Sequence, residues 1–134
     1  MRDELRRKLT SVFRRHPDIQ AVYLFGSTAE GRARPESDID LAVIASSSRI
    51  KEKKLDILSE LAQVGMCNVD LVFLNDQDLV LQYEAVRQNQ LVYAREDFDR
   101  GATYSKIVRK YLDFEPYLRA QRAAYKRRIA GAQA

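Results

Sequence analysis

The sequence has few of the residues that build disulfides and zinc sites. It contains one cysteine, Cys67, one histidine, His16, and no tryptophan among 134 residues. A single cysteine excludes a disulfide within the chain, and one cysteine with one histidine cannot supply the ligands of a structural zinc site. Any bound metal is therefore predicted to be a hard cation that prefers oxygen ligands.

Long apolar runs are absent as well. No stretch approaches the roughly 18 apolar residues of a membrane-spanning helix. The N-terminal sequence MRDELRRKLTSVF is charged and lacks the apolar centre of a secretory signal. We therefore expect a cytoplasmic protein with no membrane association. The length and the hydrophobic content of 46% predict one compact domain over residues 1–134.

Charge is unevenly distributed along the chain. Residues 1–16 carry six Lys and Arg against two acids, residues 98–134 carry nine against three, and residues 17–97 carry eight against fourteen. Basic ends around an acidic centre disfavour one continuous nucleic-acid-binding surface, so direct nucleic-acid binding is not expected. Carboxylates in the centre would suit a protein that holds Mg²⁺.

Apolar periodicity predicts helices that alternate with short strands. We predict an α/β (α+β) domain, a small mixed sheet of about four strands flanked by helices, with a long C-terminal helical segment. The predicted elements, in order, are a helix over residues 3–15, strands over 20–25 and 38–45, a helix over 49–64, a strand over 68–74, a helix over 76–87, a strand over 91–94 and a helical segment over 98–129.

Several residues are given specific structural roles. Asn89 is predicted to take the left-handed conformation that ends a helix, and Pro116 is a candidate break in the last segment. His16 is predicted to help end the first helix, and Cys67 to be inert filler at the start of a buried strand. The apolar face of the first helix is predicted to be Leu5, Leu9, Val12 and Phe13, and that of the second Leu55, Leu58, Leu61 and Ala62.

Gly26 and Ser27 directly follow the first predicted strand. A glycine there allows a sharp turn and the close approach of a phosphate, and a serine at a helix start adds free N–H groups that attract anions. The same two residues are also typical of a simple helix cap. By themselves they leave both interpretations open.

Asp38 and Asp40 begin the second predicted strand. Residues i and i+2 of a strand point to the same face, so the two carboxylates lie side by side, where they repel one another unless a cation lies between them. Alternatively, both are solvated at the start of the strand or paired with Arg32 or Arg34. Ser37 either orients the first carboxylate or is a turn residue.

Asp70 is a third acid inside an apolar strand, in the sequence VDLVF. If this strand lies beside the second one, Asp70 reaches the same patch as Asp38 and Asp40. Three carboxylates on one face form an oxygen-rich site suited to Mg²⁺, and two such ions could bridge an attacking oxygen, a phosphorus centre and a departing pyrophosphate.

The sequence GSTAEG, followed by SDIDL and then VDL, resembles the motif of the DNA polymerase β-type nucleotidyltransferase superfamily. The short chain and its helical ends resemble the MNT antitoxins that are encoded beside HEPN toxins. The catalytic motif covers residues 22–74, and the C-terminal helical segment follows over residues 98–129. The resemblance thus implies a single nucleotidyltransferase domain.

The resemblance also implies an activity and a set of site residues. It implies Mg²⁺-dependent transfer of AMP from ATP to a hydroxyl, a tyrosine of the HEPN ribonuclease toxin, with release of pyrophosphate and formation of a hetero-oligomeric complex. Two Mg²⁺ ions are implied, which Mn²⁺ could replace. The matching residues are Gly26, Ser27 and Ser37 for the nucleotide and Asp38, Asp40 and Asp70 as metal-binding catalytic carboxylates.

One position departs from the family pattern. Glu30 stands where many relatives have arginine. If that arginine holds the triphosphate, either Arg32 or Arg34 replaces it here or nucleotide binding is weaker.

The sequence leaves two alternative functions open. A binding-only antitoxin would neutralise its partner by contact, but three crowded carboxylates favour catalysis. A transferase acting on a small molecule would need a longer chain for its acceptor pocket. The residues Tyr104, Ile107, Tyr111, Phe114, Leu118, Tyr125 and Ile129 recur at helical spacing and form either core or a docking face for the partner.

Overall fold

The structure, a computed structural model, describes residues 2–25, 39–76 and 79–133. These residues form four α-helices, four β-strands and two short 3₁₀ helices. The elements are α1 (Arg2–Phe13), β1 (Ile19–Phe25), β2 (Ile39–Ala45), a 3₁₀ helix (Ser48–Lys53), α2 (Lys54–Gln63), β3 (Val69–Phe73), a 3₁₀ turn (Leu74–Asp76), α3 (Leu79–Gln88), β4 (Gln90–Ala94) and α4 (Arg100–Gln133).

The four strands form one mixed sheet in the order β3-β2-β1-β4. β1 pairs antiparallel with β2 and with β4, whereas β2 and β3 run parallel. The parallel pair is joined through the 3₁₀ helix and α2, because parallel neighbours need a crossover connection. The predicted fold class, a small mixed sheet flanked by helices with a long C-terminal helix, is confirmed.

The first face of the sheet packs against α1 and α2. Alternate residues of each strand point to one face, and this alternation sends Leu41, Val43 and Leu71 into the larger apolar cluster. Leu9, Val12 and Phe13 of α1 enter the same cluster, with Leu5 partly buried beside them. The predicted apolar face of the first helix is thus confirmed, although α1 ends at Phe13, two residues earlier than predicted.

The second face packs against α3 and α4. Its cluster is smaller and contains Ala21, Tyr23, Ala42, Leu74, Ala85, Val86 and Ile107. The aromatic rings of Tyr83 on α3 and Tyr111 on α4 stack in parallel, with centroids 3.8 Å apart. This contact attaches the first part of α4 to α3.

The helix α2 differs from its prediction in length and in buried face. Residues 48–53 form a 3₁₀ helix, and the Ser47 side chain accepts a hydrogen bond from the Arg49 N–H at its start. Leu55 is 79% exposed and Ala62 is exposed, so their predicted burial is wrong. Ile57 and Leu61 face the core, with Leu58 partly buried, because the packing of α2 against α1 and β3 decides which side of the helix is buried.

Two residues in left-handed conformations connect helices to strands. Gly65, at φ 92°, ends α2, and the Met66 N–H donates to the Leu61 carbonyl 2.9 Å away. This Schellman arrangement turns the chain toward β3. Asn89, at φ 54°, lies between α3 and β4 as predicted, and Arg100 donates to its side-chain and backbone oxygens at 2.8–2.9 Å.

Two further predictions are corrected by the structure. Cys67 is exposed and precedes β3, so it is not buried filler. The helix α4 continues without a break through Pro116. Proline removes only one helical hydrogen bond, to the carbonyl of Leu112, and that residue is 59% exposed, so water can replace the missing donor.

No helix in the described ranges combines the length and the apolar character that crossing a membrane requires.

Candidate active site

The site begins with two aspartates on neighbouring strands. Asp40 on β2 pairs in register with Asp70 on β3. Residues directly paired across adjacent strands point to the same face of a sheet, so the two carboxylates lie side by side. We call Asp40 and Asp70 the acidic pair.

Strand alternation explains why both acids reach the second face. Ile39 and Leu41 on β2, and Val69 and Leu71 on β3, belong to the larger cluster on the first face. The residues between them therefore point the other way, toward the side of α3 and α4. The same alternation that fills the first face places the acidic pair on the second.

The acidic pair lies beside the smaller cluster of the second face. Ala42 is fully buried and Val72 partly buried in the smaller cluster, one step further along each strand. Asp40 is half-buried and Asp70 is exposed. The start of β2 is tied to the start of β3 by a hydrogen bond of 2.8 Å from the Ile39 N–H to the Asn68 carbonyl. The carboxylates are therefore held on a rigid sheet while remaining accessible.

A third residue completes the row across the sheet. Phe25, the last residue of β1, pairs with Asp40 and packs against the smaller cluster. It thus lies beside Asp40 on the second face. Sequence reasoning did not assign it to the site, although its position immediately before Gly26 was a usable signal.

The remaining predicted site residues lie outside the described ranges. They are Gly26, Ser27, Ser37 and Asp38. The described chain ends at Phe25 and resumes at Ile39, and the pairing of Phe25 with Asp40 puts these two points at the same end of the sheet. Glu30, Arg32 and Arg34 also lie outside the described residues. The site assignment as a whole stays a prediction.

The chemistry available at the acidic pair is that of carboxylate oxygens. Two like charges on adjacent strands repel, and a divalent cation that binds both carboxylates relieves the repulsion. Within the described part of the chain, no group of three or more candidate metal ligands is found. The third predicted ligand, Asp38, is not among those residues.

His16 lies on the opposite side of the sheet from the acidic pair, where α1 and α2 pack. It is 7% exposed, and its Nε2 lies 2.7 Å from Glu60 Oε2, a contact that joins the end of α1 to α2. The sequence predicted only that His16 helps to end α1. The partner on α2 is far away in sequence, so no local pattern could have indicated it.

A cleft at the other end of the strands has a different lining. Gln20, Ile44 and Asn75 line it together with residues of α4, among them Lys106 and Lys110. None of the described site residues lines this cleft.

Comparisons with known proteins show a family to which the sequence is similar. The sequence profile of the family described as polymerase beta, nucleotidyltransferase, matches residues 7–98. The protein adenylyltransferase MntA of Shewanella oneidensis is 30% identical over 108 residues, which cover 81% of this chain and 74% of the relative.

Solved structures extend the likeness to almost the whole chain. A chain of a toxin–antitoxin complex with AMP-PNP is 28% identical, with a TM-score of 0.69 over 96% of this chain and 98% of its own. A chain from the complex of a tri-AMPylated Shewanella oneidensis HEPN toxin with an MNT antitoxin is 26% identical, with a TM-score of 0.67 over 100% of both chains.

Proposed function

This chain belongs to the polymerase beta nucleotidyltransferase family, and we propose that it is an antitoxin that transfers AMP from ATP to a cognate HEPN ribonuclease toxin. The transfer releases pyrophosphate and neutralises the toxin. The acceptor is a hydroxyl, in this proposal that of a tyrosine. The toxin is encoded by the adjacent gene, and the two proteins form a hetero-oligomeric complex in the cytoplasm.

The observation that carries this proposal is the register of Asp40 with Asp70 on two parallel strands. It places two carboxylates on one accessible patch of a rigid sheet, in a chain whose relatives include a protein adenylyltransferase and an MNT antitoxin in complex with its AMPylated toxin.

The acidic pair fits a magnesium ion. Mg²⁺ prefers carboxylate oxygens, and Asp40 and Asp70 offer such oxygens from paired positions on adjacent strands. In this proposal they hold one or two ions together with Asp38, and Mn²⁺ can take the place of Mg²⁺. The bound metal supplies positive charge that stabilises the phosphates during transfer.

The chain's own residues have separate tasks in the reaction. The turn at Gly26 and Ser27, with Ser37, binds the phosphates of ATP through N–H and hydroxyl donors. The acceptor hydroxyl oxygen forms a bond to the α-phosphorus, and the bond from that phosphorus to the β-phosphate oxygen breaks. Asp70, the exposed member of the pair, accepts the proton of the attacking hydroxyl.

One observation favours a second function, neutralisation by binding alone. The later part of α4 carries exposed apolar side chains, among them Tyr117 and Tyr125, which are 58% and 61% exposed. A chain that only masks its partner would need such a surface and would not need the acidic pair.

The decisive experiment measures the mass of the partner toxin. The toxin is purified after co-expression with this chain and, separately, with the Asp40→Asn variant. The matched control is Asp56→Asn. It removes the same negative charge from an exposed residue of α2, which packs on the first face of the sheet. We expect one or more added AMP masses with the native chain and with Asp56→Asn, and none with Asp40→Asn.

Two results would contradict the proposal. An unmodified toxin that is nevertheless neutralised in a tight complex would support the binding-only function. Normal AMP addition by Asp40→Asn would show that the acidic pair does not belong to the active site.

A further inference from the structure

Six apolar residues of α4 lie on one side of the helix and are here called the stripe. They are spaced three, four or seven residues apart, which keeps them on one side of an α-helix. The stripe consists of Ile107, Tyr111, Phe114, Leu118, Tyr125 and Ile129.

Only the beginning of the stripe is covered by the domain. Ile107 is 8% exposed within the smaller cluster, and Tyr111 stacks on Tyr83. Further along, Phe114 is 39%, Tyr125 is 61% and Ile129 is 40% exposed. The side of the helix that packs on the domain thus continues beyond Tyr111 with Phe114, Tyr125 and Ile129 exposed and Leu118 partly buried.

The uncovered part leads away from the acidic pair. At the start of α4, the Arg100 side chain donates a hydrogen bond to Asn89. Asn89 precedes Gln90 of β4, which pairs with Leu24 near the end of β1. From Thr103 to Lys110 the helix lines the cleft at the opposite end of the strands. The residues that follow, 112–131, are here called the distal arm; at about 1.5 Å per residue they extend roughly 30 Å.

The distal arm is positively charged. Its cations are Arg119, Arg122, Lys126, Arg127 and Arg128, and its acids are Asp113 and Glu115. The Arg119 guanidinium binds both oxygens of Glu115, at 2.7 and 2.8 Å, so these two charges compensate each other. Four cations remain against Asp113.

The positive charge of the distal arm indicates which kind of protein could cover the stripe. By helical spacing, Arg122 and Lys126 border it on one side and Arg128 on the other. A second copy of this arm would bring its own cations against these three, which disfavours self-association. A partner with an apolar surface bordered by carboxylates would satisfy both the stripe and its edges.

We propose that the distal arm is the docking surface for the protein that accepts AMP. This inference rests on the proposed function, since it gives the acceptor protein its binding site. Because the arm is remote from Asp40 and Asp70, it does not touch the reacting atoms. It holds the acceptor close and raises the effective concentration of its hydroxyl at the acidic pair.

The test replaces apolar residues of the stripe with glutamates, whose negative charge an acidic partner would repel. The variant is Tyr125→Glu/Ile129→Glu. Its matched control is Ala120→Glu/Ala123→Glu, which adds the same charge to exposed positions on the other side of the same helix. The rate of AMP addition is measured over a range of concentrations of the acceptor protein, and complex formation is measured separately by calorimetry.

We expect Tyr125→Glu/Ile129→Glu to raise KM for the acceptor protein at least tenfold and to weaken the complex to the same extent. Its kcat should stay within twofold of the native value, because the acidic pair is unchanged. The control should keep both constants within twofold. All the substituted residues lie on an exposed part of the helix, and circular dichroism verifies that it stays helical.

Several results would overturn the docking proposal. Equal KM values for the variant and its control would do so, as would a native dimer that the variant disrupts while KM stays unchanged. Loss of single-stranded RNA binding with normal acceptor binding would assign the arm to nucleic acid instead. If the native chain adds no AMP but its complex is broken by the variant alone, docking stands and the proposed transfer fails.

Discussion

The two faces of the sheet differ in how completely they are covered. Among the described residues, the first face, under α1 and α2, belongs to a cluster of sixteen buried residues, whereas the cluster of the second face, under α3 and α4, contains seven. The second face also carries the acidic pair, in which Asp40 is half-buried and Asp70 is exposed. One face therefore provides most of the stabilising burial, and the other leaves room for a site.

This difference has a physical reason. Moving a carboxylate out of water costs free energy, and Asp40 is only half-buried while Asp70 is exposed. The opposite face has no such restriction and packs closely. The alternation of side chains along β2 and β3 thus puts the larger core on one face and the acidic pair, the proposed site, on the other.

The sharpest test of this comparison is a matched pair of core truncations on one strand. Leu41 is fully buried on the first face, and Ile44 is partly buried on the second. We expect Leu41→Ala to lower the free energy of unfolding by about 3 kcal/mol and Ile44→Ala by about 1 kcal/mol. The closely packed core around Leu41 cannot collapse into the space that the substitution leaves, and this remaining cavity costs stability. Urea unfolding measures both values, and equal losses would remove the distinction between the faces.

The next test separates chemistry from stability at the acidic pair. Asp70→Asn should reduce the rate of AMP addition at least about a hundredfold, equivalent to ~2.7 kcal/mol of transition-state stabilisation. It should leave the free energy of unfolding unchanged or raise it by a few tenths of a kcal/mol, because it removes repulsion between paired carboxylates. Loss of activity together with a large loss of stability would instead make Asp70 a structural residue.

The smallest expected effect concerns Tyr23, which is buried on the second face. Its hydroxyl has no hydrogen-bond partner among the described residues, and its ring meets Phe98 edge-on. A buried hydroxyl without a partner destabilises the fold, so Tyr23→Phe should raise the free energy of unfolding by up to about 1 kcal/mol. Lower stability of the variant in urea unfolding would indicate that the hydroxyl is bonded in solution.

The same residue gives a prediction for alkaline pH. Burial raises the pKa of the Tyr23 hydroxyl above its ordinary value of 10.0, and the charge of Arg100 opposes this shift. The unfolded chain therefore releases the proton first, and the native protein should lose stability as the pH rises above about 10. The advantage of Tyr23→Phe should widen over that range, and a constant difference between about pH 8 and pH 11 would contradict it.

Much of the fold could be predicted from local patterns. The strands, the apolar face of α1 and the conformation of Asn89 follow from alternation, helical spacing and turn chemistry, which are properties of neighbouring residues. The buried face of α2 could not be predicted in the same way. Leu55 and Ile57 lie on different sides of the same helix, and contacts of α2 with α1 and β3, which are distant in sequence, decide that the side of Ile57 is buried.

The candidate site was likewise predicted only in part from local sequence patterns. The sequence by itself determined that Asp40 and Asp70 interrupt two apolar strands, because side-chain alternation is a local property of each strand. Only the tertiary structure decided that β3 lies beside β2 in parallel register, that Phe25 joins the row, and that Phe114, Tyr125 and Ile129 of the stripe are left exposed. Strand order and helix cover depend on contacts between residues far apart in the chain, and no short pattern encodes them.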